Sequence, residues 1–149
     1  MNAEQQPGFD VCNCHAIRQA ARHVTQFYDQ VLAPSGLRVT QFAILSRLRR
    51  LGPMPINTLA AALVMDRTTL GRNIQPLERD GLIEVVPGAS DRRRRELRLT
   101  GTGLARQRAA LEHWEEAQNR FGKVFGDDRA ANLRGLLREV VASDFAGAA

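Results

Sequence analysis

Four consecutive arginines, Arg92, Arg93, Arg94 and Arg95, with Arg98 close behind, form the densest cluster of reactive side chains in the chain. Like charges packed so closely repel and cost stability unless an anion is near. A nucleic-acid backbone beside a narrow groove is such an anion, and narrow grooves attract arginine. Asp91 heads the run, and we expect it to pair with a neighbouring arginine and fix the tip. Arg67, Thr68, Thr69 and Arg72 form a second set of hydrogen-bonding groups. Arginine suits bidentate contacts to phosphate and guanine. A third set, His15, Arg18 and Arg22, recurs at i, i+3 and i+7. Cations on one side of an otherwise apolar helix hold a carboxylate through charge-assisted hydrogen bonds, or form a solvated face. Cys12 and Cys14, one residue apart, are the last set. A cysteine at a helix start beside cations is placed for thiol chemistry, with Cys12 a resolving thiol only if the backbone frays; inert buried cysteines are the other reading. With His15 and His23 they are also the right atom types for zinc. On a continuous helix, i and i+2 point ~200° apart and cannot share one ion, so we expect no metal site.

The background chemistry excludes several classes. The chain has 149 residues, room for one compact domain with a sizeable core. No apolar run approaches the ~20 residues that cross a bilayer. Met1–Asp10 lacks a basic region followed by an apolar one, so no secretory signal is expected and the expected compartment is the cytoplasm. The formal net charge is +5, and arginine outnumbers lysine so far that Lys123 is the lone lysine. A GC-rich genome accounts for that bias; the position of the arginines carries more information than their number. Cys14 and His15 as nucleophile and base diverge on a helix. No carboxylate pair, phosphate loop or oxyanion-forming glycine loop accompanies them, so neither an enzyme nor a cofactor is expected.

The breakers show which elements must position these groups. Ile17, Ala20, Ala21, Val24, Tyr28 and Val31 predict a long helix from about Cys12 to Leu32, ended by Pro34-Ser35-Gly36. Phe42, Leu45 and Leu48 mark a second helix, stopped at Gly52-Pro53. Asn57 is expected to cap a third, and Asp66 a fourth that Gly81 closes. In the fourth, Leu70, Ile74 and Leu77 fall on one face and Arg67, Thr68, Thr69 and Arg72 lie in its first turns. Leu82–Val86, the turn Pro87–Ser90, and Glu96–Leu99 then read as a hairpin with an arginine-rich tip. Thr100 caps a fifth helix to about Phe125, and Gly126-Asp127-Asp128 separates it from a sixth. That last helix carries Leu133, Leu136, Leu137, Val140 and Val141 as one stripe. The expected fold is therefore mainly α with a small β-hairpin wing: six helices and a winged helix-turn-helix. A helical hairpin with solvated arginines is the plainer alternative for the reading segment taken alone.

In order, Leu59-Ala60, Asp66-Arg67-Thr68-Thr69-Leu70, Leu77-Glu78-Arg79-Asp80-Gly81-Leu82-Ile83, Asp91-Arg92-Arg93 and Leu99-Thr100-Gly101-Thr102-Gly103 resemble the MarR family of bacterial regulators. Gly36-Leu37-Arg38-Val39-Thr40-Gln41-Phe42 resembles the same family's element upstream. The likeness extends over roughly Cys12 to Val141. It implies a single domain over residues 1–149, with residues 37–99 as the DNA-reading lobe and residues 12–33 and 100–145 as dimerisation helices. It implies a homodimeric repressor on a pseudo-palindromic operator of double-stranded DNA. Asp91 and Arg93 take the wing aspartate and the minor-groove arginine, and Arg72, Thr68 and Thr69 take recognition-helix roles. It further implies release by a small aromatic or phenolic carboxylate, which we assign to His15, Arg18, Arg22 and Trp114; Arg22 matches a position where some members place an arginine. The alternative is a peroxide-sensing repressor using Cys14. Cys14 and Tyr28 match the hydroperoxide-sensing branch, but Arg18 stands where that branch has a second tyrosine. A zinc-responsive regulator and a non-specific architectural DNA protein complete the alternatives.

Overall fold

The structure is a computed structural model that describes residues 8–148. Most of the polar Met1–Asp10 stretch lies outside them. The described elements are α1 (Asn13–Leu32), α2 (Val39–Leu51), α3 (Ile56–Leu63), α4 (Arg67–Arg79), β1 (Ile83–Pro87), β2 (Arg95–Leu99), α5 (Gly101–Phe125) and α6 (Asp127–Ala142), with short 3-10 turns at 9–11, 33–35 and 146–148. The six helices and the hairpin are those the sequence pattern predicts. The chain divides into two compact units, one up to Trp114 and one from Glu115, so the boundary falls inside α5.

In the first unit the core is built from α2, α3, α4 and the hairpin. Ile44, Leu45, Leu59, Leu70, Leu77, Leu82 and Ile83 are all fully buried. The buried face of α4 is the expected one, Leu70, Ile74 and Leu77. Burying one such side chain contributes roughly 1.5–3 kcal/mol relative to leaving it in water. The hairpin pairs Ile83 with Leu99 and Val85 with Leu97 in antiparallel register. Met54 adds a bridge to Leu97, through Leu97 N–H to the Met54 carbonyl at 2.8 Å and the reciprocal bond at 3.2 Å. A single residue after Gly52-Pro53 thus extends the wing's base, which periodicity does not reveal. At the start of α5 the Thr100 hydroxyl accepts the Gly103 N–H at 2.9 Å, as a helix cap should. A Cβ at Gly103 would lie 2.0 Å from the Leu82 carbonyl oxygen, so glycine is what lets α5 approach the hairpin.

Two expectations need correction. Asn57 does not cap α3; Pro55 does, because its carbonyl accepts the N–H groups of Thr58 and Leu59 at 3.1 and 3.2 Å. Arg95 is not at the hairpin tip but in β2, opposite Pro87. Within the single chain α1 buries little. Only Tyr28 and Leu32 are buried, while Asn13 to His23 are exposed throughout, including Arg18 and Arg22.

In the second unit Gly126, at φ 100°, breaks the helix and α6 begins at Asp127. Phe121 and Phe125 pack with centroids 5.5 Å apart, and the Arg129 guanidinium sits 4.2 Å from the centre of the Phe125 ring. The α6 stripe faces solvent within the chain: Leu136 is 60% exposed and Val141 65%, with Leu137 and Val140 also exposed and Leu133 half-buried.

Candidate nucleic-acid interface

Helix α4 starts at a side-chain cap. The Asp66 carboxylate accepts the Thr69 N–H at 2.8 Å and the Thr69 hydroxyl at 2.7 Å. These two bonds, the hydroxyl first and the amide second, hold Asp66 below its ordinary carboxylate pKa. Thr69 therefore spends its hydroxyl proton on the cap and presents an acceptor oxygen outward. Arg67, Thr68, Thr69 and Arg72 are all exposed on α4, opposite the buried Leu70 and Leu77. Gln75, which the sequence reading passed over, is exposed one turn beyond Arg72. Its spacing, i+3 from Arg72, is the signal that finds it. Pro76 lies inside the helix, which nonetheless continues to Arg79.

The wing tip is organised by backbone hydrogen bonds. Asp91 does not pair with an arginine side chain. Its carboxylate accepts the Arg93 backbone N–H at 3.0 Å, and its carbonyl accepts the Arg94 N–H at 3.1 Å. The short side chain reaches an amide two residues on more readily than a flexible guanidinium. The Gly88 N–H donates to the Arg94 carbonyl at 2.7 Å and closes the tip. A Cβ at Gly88 would lie 2.7 Å from the Asp91 carbonyl oxygen. Arg92, Arg93 and Arg94 are left exposed at this tip, with Arg95 exposed at the start of β2, and among the described residues none of the four is in an ion pair. Arg98 differs: its Nε donates to Glu84 across the hairpin at 2.9 Å, so it is engaged within the wing. An exposed helix face of arginine, threonine and glutamine and an exposed cationic loop are the two chemistries a groove-reading module needs, one suited to base edges and the other to phosphate.

A cleft of about 660 Å³ lies between α2 and α5. Phe42, Leu111 and Trp114 supply aromatic and apolar wall, and Arg47, Arg50 and Gln107 supply polar groups. Phe42 and Trp114 stack with centroids 5.9 Å apart and planes at 27°. Gln107 is only 3% exposed, accepts from Arg49 at 2.6 Å and donates to Ser46 at 3.2 Å. Of the proposed effector residues only Trp114 lines this cleft. His15, Arg18 and Arg22 are on the exposed part of α1, outside its lining. Within one chain Arg18 and Arg22 form an exposed face, the second of the two readings their spacing allows. The sequence reading missed Arg47 and Arg50, which fall off the Phe42–Leu45–Leu48 face and so read as solvated.

Cys12 and Cys14 are both exposed free thiols. Cys12 is outside the helix, in the capping position with extended backbone, and its Sγ accepts the His15 N–H at 3.4 Å. Among the described residues no three His, Cys, Asp or Glu side chains gather to hold a metal ion. Nor is any described helix long and apolar enough to cross a membrane.

Comparison with known proteins places these features in a group. The family model of the MarR family matches residues 37–94, from the start of α2's approach to the wing tip. The HTH-type transcriptional regulator PecS of Dickeya dadantii is 30% identical over 115 residues, 75% of this chain and 69% of PecS. The HTH-type transcriptional repressor NicR of Pseudomonas putida is 28% identical over 131 residues, 87% of this chain and 82% of NicR. The crystal structure of the M. tuberculosis transcriptional regulator MosR in complex with DNA is 34% identical with a TM-score of 0.74, covering 88% of this chain and 97% of that one.

Proposed function

The chain belongs to the MarR family of transcriptional regulators, and from that premise we propose that it is a homodimeric repressor released from a pseudo-palindromic operator by a small aromatic carboxylate. The observation that carries the DNA-binding half is the pairing of an exposed α4 face, Arg67 to Gln75, with the unpaired arginine tip held by Asp91. The similarity to a regulator crystallised with DNA and to a named repressor supports the same reading. One such module buries only ~600–1,000 Å² on DNA, so two are needed for tight specificity. The exposed apolar residues of α6, Leu136, Leu137, Val140 and Val141, are what a second copy would cover in this reading. Selection from a random DNA pool, followed by titration of the winner and of random duplex, tests this. A regulator prefers its operator ~10³–10⁷-fold; a ratio near unity makes the protein an architectural binder instead.

The effector half rests on the α2–α5 cleft. Its aromatic wall of Phe42 and Trp114 suits a planar ring, and Arg47 and Arg50 suit a carboxylate. His15, Arg18 and Arg22 complete the recognition in this reading only when the dimer brings them to the ligand. Trp114 is the single tryptophan, so its fluorescence reports occupancy directly. Titration with benzoate and salicylate should quench or shift it and weaken operator binding together.

A second reading has its own observation. Cys12 precedes the first residue of α1 and both thiols are exposed, so a disulfide would require only that the Cys12 Sγ give up its capping contact with the His15 N–H. A hydroperoxide would oxidise the Cys14 thiolate to a sulfenic acid and leave as the alcohol. The Cys12 thiol would then displace water to form the disulfide. Peroxide release of wild type but not of a Cys12→Ser/Cys14→Ser protein, with no response to aromatic acids, would establish this mechanism in place of the first.

A further inference from the structure

We infer that Arg47 is a positioning residue that couples the α2–α5 cleft to the turn leading into the reading helix. The inference rests on the reading above that the cleft takes a small aromatic carboxylate. Arg47 lines the cleft, yet its Nη2 also reaches the Ala62 carbonyl at 3.5 Å. Ala62 is in the last turn of α3. The carbonyls of Ala60 and Ala61 before it are taken by the N–H groups of Met65 and Val64. Arg47 thus serves a carbonyl at a helix end, where a cation is favoured.

The next residues are unusual. Val64 has φ 53° and is the one non-glycine residue with positive φ among those described. A β-branched side chain is disfavoured in the left-handed region, which glycine normally fills at a helix end. Its side chain is 71% exposed, so packing does little to hold it there. The turn is closed by the Val64 and Met65 N–H bonds to the Ala61 and Ala60 carbonyls, and Arg47 adds a long contact to the next carbonyl. After Met65 comes Asp66, the cap of α4. The direction in which the reading helix leaves α3 is therefore set by a strained turn, one of whose supports comes from the cleft.

At 3.5 Å this exposed contact is longer than the usual ~2.7–3.2 Å of an N–H···O bond and is easily traded. A carboxylate in the cleft offers Arg47 two shorter, charge-assisted bonds. If Arg47 turns to the anion, the Ala62 carbonyl loses its partner, the Val64 turn relaxes and α4 changes its aim. Operator and anion then compete for the state of one side chain, and each weakens the other by the same factor.

The full-length protein tests this in two arms. Without any acid, Arg47→Met should weaken operator binding about 5–50-fold, and adding Val64→Gly should restore most of it. Arg47→Lys, which keeps a cation at the helix end, should stay near wild type. Wild-type affinity in Arg47→Met, or no recovery in the double variant, overturns the inference whether or not an acid binds. In the second arm, benzoate is added until the Trp114 signal saturates. It should release wild type while changing the affinity of Arg47→Met less than about two-fold. Undiminished release of Arg47→Met also overturns the inference. Absence of any Trp114 response in wild type removes the effector reading but leaves the first arm decisive. If Arg47→Met does not fold, Val64→Gly alone serves: it should hold DNA more firmly in saturating benzoate than wild type does, and equal release counts against the coupling.

Discussion

At the level of single residues, the two arginine sets have separable jobs. In the proposed reading Arg72 shares with Thr68 and Gln75 a helix face that would meet base edges, whereas Arg93 is at a loop tip whose Asp91 carboxylate accepts its N–H. Arg72→Ala should lose ~1–3 kcal/mol on the preferred operator and relax base preference at one position. Arg93→Ala should weaken operator and random DNA alike and flatten the salt dependence by about one phosphate's worth. Equal losses on both DNAs for both variants would contradict this division. Asp66 adds a pH dependence. Its folded pKa is depressed by the Thr69 hydroxyl and amide, so the ionised form favours the folded state. That contribution is complete above the ordinary carboxylate range and fades as pH falls below it, through the folded value. Asp66→Asn keeps a capping oxygen but removes the titration. Its acid-unfolding curve should lose part of the slope seen in wild type below about pH 4.

At the level of elements, α4 is held by its apolar face and the wing by its turn. Leu70 is fully buried, so Leu70→Ala should cost about 2–5 kcal/mol in global stability, measured by denaturant unfolding. The wing tip should respond otherwise. Gly88→Ala forces a Cβ to within 2.7 Å of the Asp91 carbonyl oxygen, and the backbone must shift. Because the tip is exposed and outside the core, thermal stability should change little while DNA affinity falls. A large drop in Tm with unchanged DNA binding would show that the tip is structural only.

At the level of the whole molecule, the exposed α6 stripe is the feature a lone chain leaves unexplained. Contiguous exposed apolar surface on a soluble chain marks an interaction site. Replacing Leu136 and Val140 by aspartate together should shift the protein from dimer to monomer in sedimentation equilibrium. Operator affinity should fall towards that for random DNA at the same time, because a single module reads one half-site. A monomer that keeps full operator affinity would refute the dimeric reading.

Most of the secondary structure was legible from local chemistry. Asp66 and Thr100 cap through amides three residues on, Gly126 breaks the helix through its own positive φ, and the periodic burial of Leu70, Ile74 and Leu77 follows from 3.6 residues per turn. The exposure of Arg67, Thr68, Thr69 and Arg72 follows from the same periodicity, and the consecutive arginines announced the wing. Contacts made across long stretches of chain were not legible. The Met54–Leu97 bridge, the Arg49–Gln107–Ser46 network and the cleft that joins Arg47, Arg50 and Trp114 link residues more than forty positions apart. Arg47 and Arg50 carry no local sign of that role, since an arginine off the apolar face of α2 reads as solvated. Asp91 shows the limit at short range: its sequence neighbours offered both arginines and amides, and in the folded turn its carboxylate accepts the Arg93 amide. Periodicity and capping depend on neighbours in sequence, whereas a cleft and its cations depend on which helices the core brings side by side.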